Sequence, residues 1–74
     1  MNEVRLANRL RQWRSEKDLT QAELATLAGV SRKTINTVEN GVFVPSVRLA
    51  LVLARTLGTT VEAIFQLVPD RVKR

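Results

Sequence analysis

Two capped helical segments separated by a glycine constrain the fold of this chain more than any other feature of its sequence. Thr20 is a favourable N-cap, and Glu23 three residues later completes a capping box. A helix is therefore predicted to start at Gln21, directly after the cap. Gly29 suits the turn that follows, because a residue without a Cβ tolerates positive φ. Ser31 is then placed to cap a second helix. The stretch 20–41 therefore predicts two short helices joined by a tight turn.

The second of these helices, at about residues 32–39, has two faces of different chemistry. Ile35 and Val38 are apolar and can pack against the first helix. The opposite face carries hydrogen-bonding side chains and no carboxylate, and its members are Arg32, Lys33, Asn36, Thr37 and Asn40. A helix with this outer face is suited to enter a DNA major groove and contact the base edges there.

A further helix is predicted before these two, at about residues 8–17. Asn8 is suited to cap it, and Leu10 and Trp13 are spaced to face the core. In the loop that follows the second capped helix, Phe43 is expected to pack on the core. The valines on either side of this phenylalanine offer no side-chain group that could bind a phosphate.

Two more helices are predicted after that loop. Ser46 is suited to cap the fourth helix, at about residues 47–57. Either Thr59 or Thr60 is suited to cap the fifth helix, at about residues 61–65. The inner face of the fourth helix is expected to consist of Val47, Ala50, Leu53, Ala54 and Leu57. Its other apolar residues widen this surface beyond one stripe, which indicates a subunit interface or, as the alternative, a generously hydrophobic helix in a monomer.

Length and composition limit the possible function. The chain has 74 residues, which is enough for one small domain over 1–74, and no separate sensor or catalytic domain is expected. The sequence contains no cysteine and no histidine, so disulfides and the usual zinc and nucleophile–base arrangements are absent. We therefore expect neither an enzyme nor a cofactor.

The chain is strongly basic, with 12 Lys and Arg residues against 7 Asp and Glu residues and a net charge of +5. This balance favours nucleic acid or an acidic membrane as partner, although it also keeps a small protein soluble. A membrane partner is disfavoured, because the apolar positions fit a packed core rather than one side of a surface helix. The sequence has no bilayer-spanning apolar run and no signal peptide, so a cytoplasmic, nucleoid-associated location is expected.

The two capped helices and their flanks resemble the phage repressor and Cro family of helix-turn-helix proteins, also called the xenobiotic-response-element family. The matching segments within the motif are QAELA at 21–25, GVS at 29–31, TI at 34–35 and ENG at 39–41. The match continues through PS at 45–46, LA at 49–50, Ala54, LG at 57–58 and EAIF at 62–65. The resemblance covers about residues 8–65.

The resemblance implies an all-α, compact five-helix, lambda-repressor-like DNA-binding domain. Its helix-turn-helix unit lies at 20–41, helices four and five lie within 46–65, and a tail follows at 66–74. In compact one-domain members the chain ends pair as a small two-stranded sheet, so residues 2–6 are expected to pair with about 65–68.

The chemistry of the polar face and the resemblance together give a set of expected site residues. The expected base-reading residues are Arg32, Lys33, Thr37 and Asn36. The expected contacts to the DNA backbone come from Gln21, Ser31, Thr34 and Asn40. By resemblance alone, Arg14 and Glu39 form a structural ion pair. A dimer interface is expected at Val52, Val61, Ile64 and Phe65.

The sequence thus predicts a regulator of transcription that binds double-stranded DNA sequence-specifically as a homodimer, with repression as the favoured outcome. Two recognition helices would enter successive major grooves of a pseudo-palindromic operator. The alternative is an antitoxin or restriction-modification controller protein, whose role includes binding a partner protein.

Overall fold

The computed structural model describes residues 3–70, and these residues form five helices and a two-stranded sheet. The elements in chain order are β1 (Val4–Asn8), α1 (Leu10–Glu16), α2 (Gln21–Ala28), α3 (Arg32–Glu39), α4 (Val47–Leu57), α5 (Val61–Ile64) and β2 (Phe65–Pro69). The predicted five-helix architecture with a small sheet is confirmed.

The helix boundaries follow from local capping. The Thr20 hydroxyl accepts a hydrogen bond from the Glu23 N–H at 3.0 Å, and the Glu23 carboxylate accepts one from the Thr20 N–H at 2.8 Å. This is the predicted capping box. Gly29 ends α2 at φ +74°, where a Cβ would be strained. Ser31 caps α3 by accepting from the Thr34 N–H.

The core lies among the five helices and the start of β2. Its fully enclosed side chains are Leu10, Leu24, Ile35, Val38, Leu53, Leu57 and Ile64. Burying each of these side chains contributes about 1.5–3 kcal/mol relative to leaving it exposed. The short helices α2 and α3 depend on this burial, since isolated helices of such length are marginal in water.

The first helix starts later than the sequence predicted. Asn8 is the last residue of β1, and α1 begins at Leu10 rather than at residue 8. The Asn8 side chain nevertheless supports the helix, because its Oδ1 accepts from the Leu10 N–H at 3.1 Å. Its Nδ2 donates to the Val38 carbonyl at 3.1 Å. Asn8 thereby joins the sheet, α1 and the last turn of α3.

The sheet is antiparallel, with Val4 opposite Pro69 and Asn8 opposite Phe65. The first strand is displaced from the predicted residues 2–6 to residues 4–8, whereas β2 starts at Phe65 as predicted, directly after the single turn of α5. The fifth helix therefore ends one residue earlier than predicted, and Thr60 rather than Thr59 is its cap. Residue 2 and the tail residues 71–74 lie outside the described part of the chain.

Two predicted core positions are exposed. Phe43 is 46% exposed, because the N–H groups of Val42 and Phe43 both donate to the Thr37 carbonyl and hold the loop at the end of α3. Val47 is 77% exposed, since it is the first residue of α4 and the rest of the domain covers only later residues of that helix. Leu49, which is buried, joins the inner face of α4 instead.

Within residues 3–70, none of the helices combines the length and the apolar character that a membrane crossing requires.

Candidate nucleic-acid interface

Helix α3 presents a polar surface that its own apolar side holds in place. Ile35 and Val38 are buried in the core. Arg32, Lys33 and Asn36 are exposed on the outside. The helix is thus fixed to the domain by one side and free to contact a ligand with the other.

The start of α2 adjoins the first turns of α3. Gln21, Arg32, Lys33 and Asn36 line a shallow depression of about 250 Å³. The depression therefore brings one predicted backbone-binding residue together with three of the four predicted base-reading residues. Two cationic side chains beside the N-terminus of α2 make this surface attractive to phosphate.

Three predicted hydroxyl ligands already hold the local structure. Ser31 Oγ accepts from the Thr34 N–H at 3.1 Å and lies 3.0 Å from Thr34 Oγ1. Thr37 Oγ1 donates to the Thr34 carbonyl at 3.0 Å. The Thr37 hydroxyl proton is therefore used within the helix, which leaves its oxygen as an acceptor and its methyl group for apolar contact.

The two asparagines of the polar surface contact each other. Asn40 Nδ2 donates to Asn36 Oδ1 at 3.3 Å, one turn apart, and both residues are exposed. The Asn36 amide nitrogen is free to donate in this arrangement. A bidentate contact to adenine needs both ends of the amide, and the Asn36 oxygen has a second lone pair that can accept while Asn40 remains bound.

The predicted ion pair between Arg14 and Glu39 is present. Arg14 Nε donates to Glu39 Oε2 at 2.6 Å, and Arg14 Nη2 donates to Oε1 at 3.3 Å. Arg14 Nη1 also donates to the Leu19 carbonyl at 2.7 Å. Arg14 thereby ties α1 both to α3 and to the segment before α2.

Sequence reasoning missed two further partners of Glu39. Gln21 Nε2 donates to Glu39 Oε1 at 3.0 Å, and Arg11 Nε lies 3.5 Å from the same oxygen. The spacing of Arg11 and Arg14, three residues apart on α1, was the one available signal. No signal in the sequence pointed to the contact from Gln21, because it joins the first residue of α2 to the last residue of α3 and so depends on how the two helices pack.

Glu39 is charged at neutral pH despite having no exposed side-chain surface. Burial acts to raise the pKa of Glu39. Hydrogen bonds from Arg14 and Gln21, together with the Arg14 charge, outweigh burial and hold this pKa below its ordinary value.

The residues predicted for a dimer interface divide into two groups. Val52 and Val61 are partly exposed at the margin of the core. Ile64 is 0% exposed and Phe65 is 8% exposed, so the core of a single chain already covers both side chains. The predicted interface is corrected accordingly, since a buried side chain offers no surface to a second chain.

This arrangement of capped helices, glycine turn and polar outer helix defines the helix-turn-helix class of DNA-binding domain. Residues 5–64 match the family described as helix-turn-helix domain (HTH_31), so the chain belongs to that family. Proteins of similar sequence include HTH-type transcriptional regulators. One of them, an uncharacterized HTH-type transcriptional regulator of Methanocaldococcus jannaschii, is 42% identical over 60 residues, which are 81% of this chain and 91% of that protein.

Two solved structures have the same fold. The restriction-modification controller protein C.AhdI from Aeromonas hydrophila is 35% identical, with a TM-score of 0.70 over 73% of this chain and 82% of that one. SinR, a master regulator for biofilm formation solved in complex with DNA, is 28% identical, with a TM-score of 0.67 over 72% of this chain and 86% of that one. SinR has also been solved in a complex with SinI protein.

Proposed function

We propose that this protein regulates transcription by binding a pseudo-palindromic operator as a homodimer, with α3 as the recognition helix, and that it acts as a repressor. The observation that carries the proposal is the exposed polar surface of α3 beside the N-terminus of α2. A rigid helix with this surface meets the requirements for reading base edges in a major groove.

Base readout is assigned to Arg32, Lys33, Thr37 and Asn36. Arg32 and Lys33, in the first turn of α3, can donate to guanine O6 and N7. The Thr37 methyl group suits contact with a thymine methyl. Asn36 can donate to an acceptor on a base edge with its free amide nitrogen.

Backbone contacts are assigned to Gln21, Ser31, Thr34 and Asn40. Gln21 is the first residue of α2, so unpaired N–H groups of that helix end and the helix dipole favour a phosphate oxygen there. Such contacts fix the orientation of the domain and carry no sequence information themselves.

A dimer is needed for two α3 helices to reach half-sites about 34 Å apart. Val52 and Val61 are the interface candidates that remain partly exposed. Repression is the simplest outcome, since a small domain bound at an operator competes with other proteins for the same DNA.

Selection of bound duplexes from a random DNA pool tests this function. We expect a pseudo-palindromic motif with half-sites about one helical turn apart. Anisotropy titration should then give tighter binding to that motif than to random duplex by about a thousandfold or more. Weak, salt-sensitive binding without a motif would overturn sequence-specific regulation.

A second candidate is a controller or antitoxin that also binds a partner protein. It is favoured by the similarity to the controller protein and to SinR, and by the exposed apolar side chains of Val42, Val44 and Val47. These three residues lie within residues 42–47 of the chain, and exposed apolar surface often binds proteins. Co-expression with products of adjacent genes tests it: a stable complex that includes this chain supports a partner, whereas purification of the chain alone from every pairing excludes it.

A further inference from the structure

The side-chain amide of Gln21 is held by a carboxylate that belongs to the recognition helix. Gln21 Nε2 donates to Glu39 Oε1 at 3.0 Å and so connects the start of α2 to the end of α3. Only the nitrogen end of an amide can donate to a carboxylate, so this contact determines which end of the amide faces Glu39. One N–H of the amide is used by Glu39, and the second remains available to another acceptor.

Glu39 is itself fixed in position. Its side chain has no exposed surface, and Arg14 donates to both of its oxygens, at 2.6 and 3.3 Å. A carboxylate held by a two-pronged arginine contact has a defined orientation. Gln21 is therefore hydrogen-bonded to a rigid acceptor rather than to another mobile side chain.

The charge of Glu39 does not oppose an approaching phosphate. Arg14 and Arg11 lie 2.6 and 3.5 Å from the Glu39 oxygens. Two arginines and one glutamate give this group of three side chains a net charge of +1. A carboxylate enclosed in this way can hold a neutral amide near the DNA backbone without the repulsion that an exposed carboxylate would cause.

We propose that Glu39 is a positioning residue for the contact between Gln21 and the DNA backbone, an inference that rests on the proposed function. Glutamine loses considerable rotamer freedom when it is immobilised. Because Glu39 orders the Gln21 side chain before DNA arrives, less of this freedom is lost on binding. The effect is independent of DNA sequence, since the contact is to the backbone.

A Glu39 that does not position Gln21 predicts a different pattern of changes in DNA affinity. Glu39→Gln makes the protein more positive by one charge, and this alone tightens binding to DNA. If Glu39 positions Gln21, the same substitution weakens binding, because a neutral amide holds Gln21 less firmly than a carboxylate does. A weakening that depends on the presence of Gln21 therefore distinguishes positioning from a charge effect and from a general loss of stability.

The experiment is a double-mutant cycle of Gln21→Ala and Glu39→Gln. Binding is measured by anisotropy with a random duplex of about 20 base pairs at about 100 mM salt, so no operator is needed. We expect Glu39→Gln to weaken binding about three- to tenfold in the wild-type background. In the Gln21→Ala background we expect it to leave affinity unchanged or to tighten it, since no amide remains to be positioned.

Two control variants accompany the cycle. Glu16→Gln makes the same charge change at an exposed carboxylate of α1 and should tighten binding slightly. Ser46→Ala removes the N-cap of α4, a helix that carries neither Gln21 nor Glu39, so it tests whether lower stability alone weakens DNA binding. Circular dichroism at the assay temperature tests whether each variant is folded. If Glu39→Gln unfolds, Glu39→Asp replaces it, because this substitution withdraws the carboxylate by one methylene.

Two outcomes overturn the proposal. One is that Glu39→Gln tightens binding as Glu16→Gln does. The other is that it weakens binding equally in the wild-type and Gln21→Ala backgrounds. Both leave the proposed function intact, because the wild-type protein still binds duplex DNA. Failure of the wild-type protein to bind any duplex would instead contradict the proposed function as well as the positioning role of Glu39.

Discussion

A single carboxylate joins three helices of this domain. Glu39 of α3 accepts hydrogen bonds from Arg14 of α1 and from Gln21 of α2. Burial acts to raise its pKa, but the hydrogen bonds of Arg14 and Gln21 and the Arg14 charge leave the pKa below its ordinary value. The folded state therefore stabilises the ionised form of Glu39, which links this residue to the stability of the whole domain.

Acid should weaken the fold through Glu39. Because the folded pKa of Glu39 lies below its unfolded pKa, the stabilisation is fully present above the unfolded pKa and is lost as pH falls through the folded pKa. Urea titrations should show that Glu39→Gln lowers the free energy of unfolding at neutral pH by about 1–3 kcal/mol. The difference from wild type should shrink in acid, and a difference that is constant with pH would contradict this role.

Arg32 should determine specificity rather than general affinity. We expect Arg32→Ala to cost about 1–3 kcal/mol at the selected operator and much less on random duplex, since only the operator presents the correct base edge. Gln21→Ala should weaken both complexes about equally. Anisotropy titrations with both duplexes measure the ratio of operator affinity to random-duplex affinity. Arg55→Ala removes an exposed arginine of α4 and serves as a control for the loss of one positive charge. An unchanged ratio in Arg32→Ala would exclude base readout by this residue.

At the scale of elements, helix α2 is positioned by the cap at its start and the glycine at its end. The Thr20 and Glu23 capping box satisfies backbone groups at the N-terminus, and Gly29 adopts φ +74° directly after the helix. The same helix start carries Gln21, so the local stability of α2 and the proposed phosphate contact involve the same turn of backbone.

Loss of the Thr20 cap should therefore destabilise the domain. Thr20→Ala removes the oxygen that accepts from the Glu23 N–H, and the expected loss is about 0.5–2 kcal/mol in the free energy of unfolding. Thr20→Ser retains a hydroxyl and should remain near wild type. Equal urea midpoints for the alanine and serine variants would show that the cap contributes little.

At the scale of the whole molecule, several apolar side chains lie outside the core and are exposed. Leu27, Val42, Val47 and Leu67 are each at least 60% exposed. These positions lie on α2, in the loop after α3, on α4 and on β2, so they do not belong to one element. Exposure alone therefore does not identify the dimer surface, and variants must distinguish the candidates.

Charge substitutions should locate that surface. A glutamate at position 61 places a charge where the proposed interface excludes water, so Val61→Glu should weaken the dimer by about tenfold or more. Val47→Glu adds the same charge at an exposed position of α4 outside the proposed interface and should leave the dimer unchanged. Sedimentation equilibrium measures both constants. If Val47→Glu dissociates the dimer and Val61→Glu does not, the interface lies at the start of α4.

The sequence alone determined the features that depend on neighbours in the chain. Thr20, Glu23, Gly29 and Ser31 act within a few residues of themselves, so the ends of α2 and the start of α3 could be read from their order. The polar outer face of α3 followed from helical periodicity for the same reason. The family resemblance added the Arg14 and Glu39 pair, which periodicity does not reveal.

Only the tertiary structure decided what depends on packing between distant segments. It placed Phe43 and Val47 at the surface and enclosed Ile64 and Phe65, because the exposure of an apolar residue depends on which elements cover it. It also brought Gln21 to Glu39, residues that are 18 positions apart in the chain. Such contacts arise from the angle at which two helices meet, and no local pattern in the sequence encodes that angle.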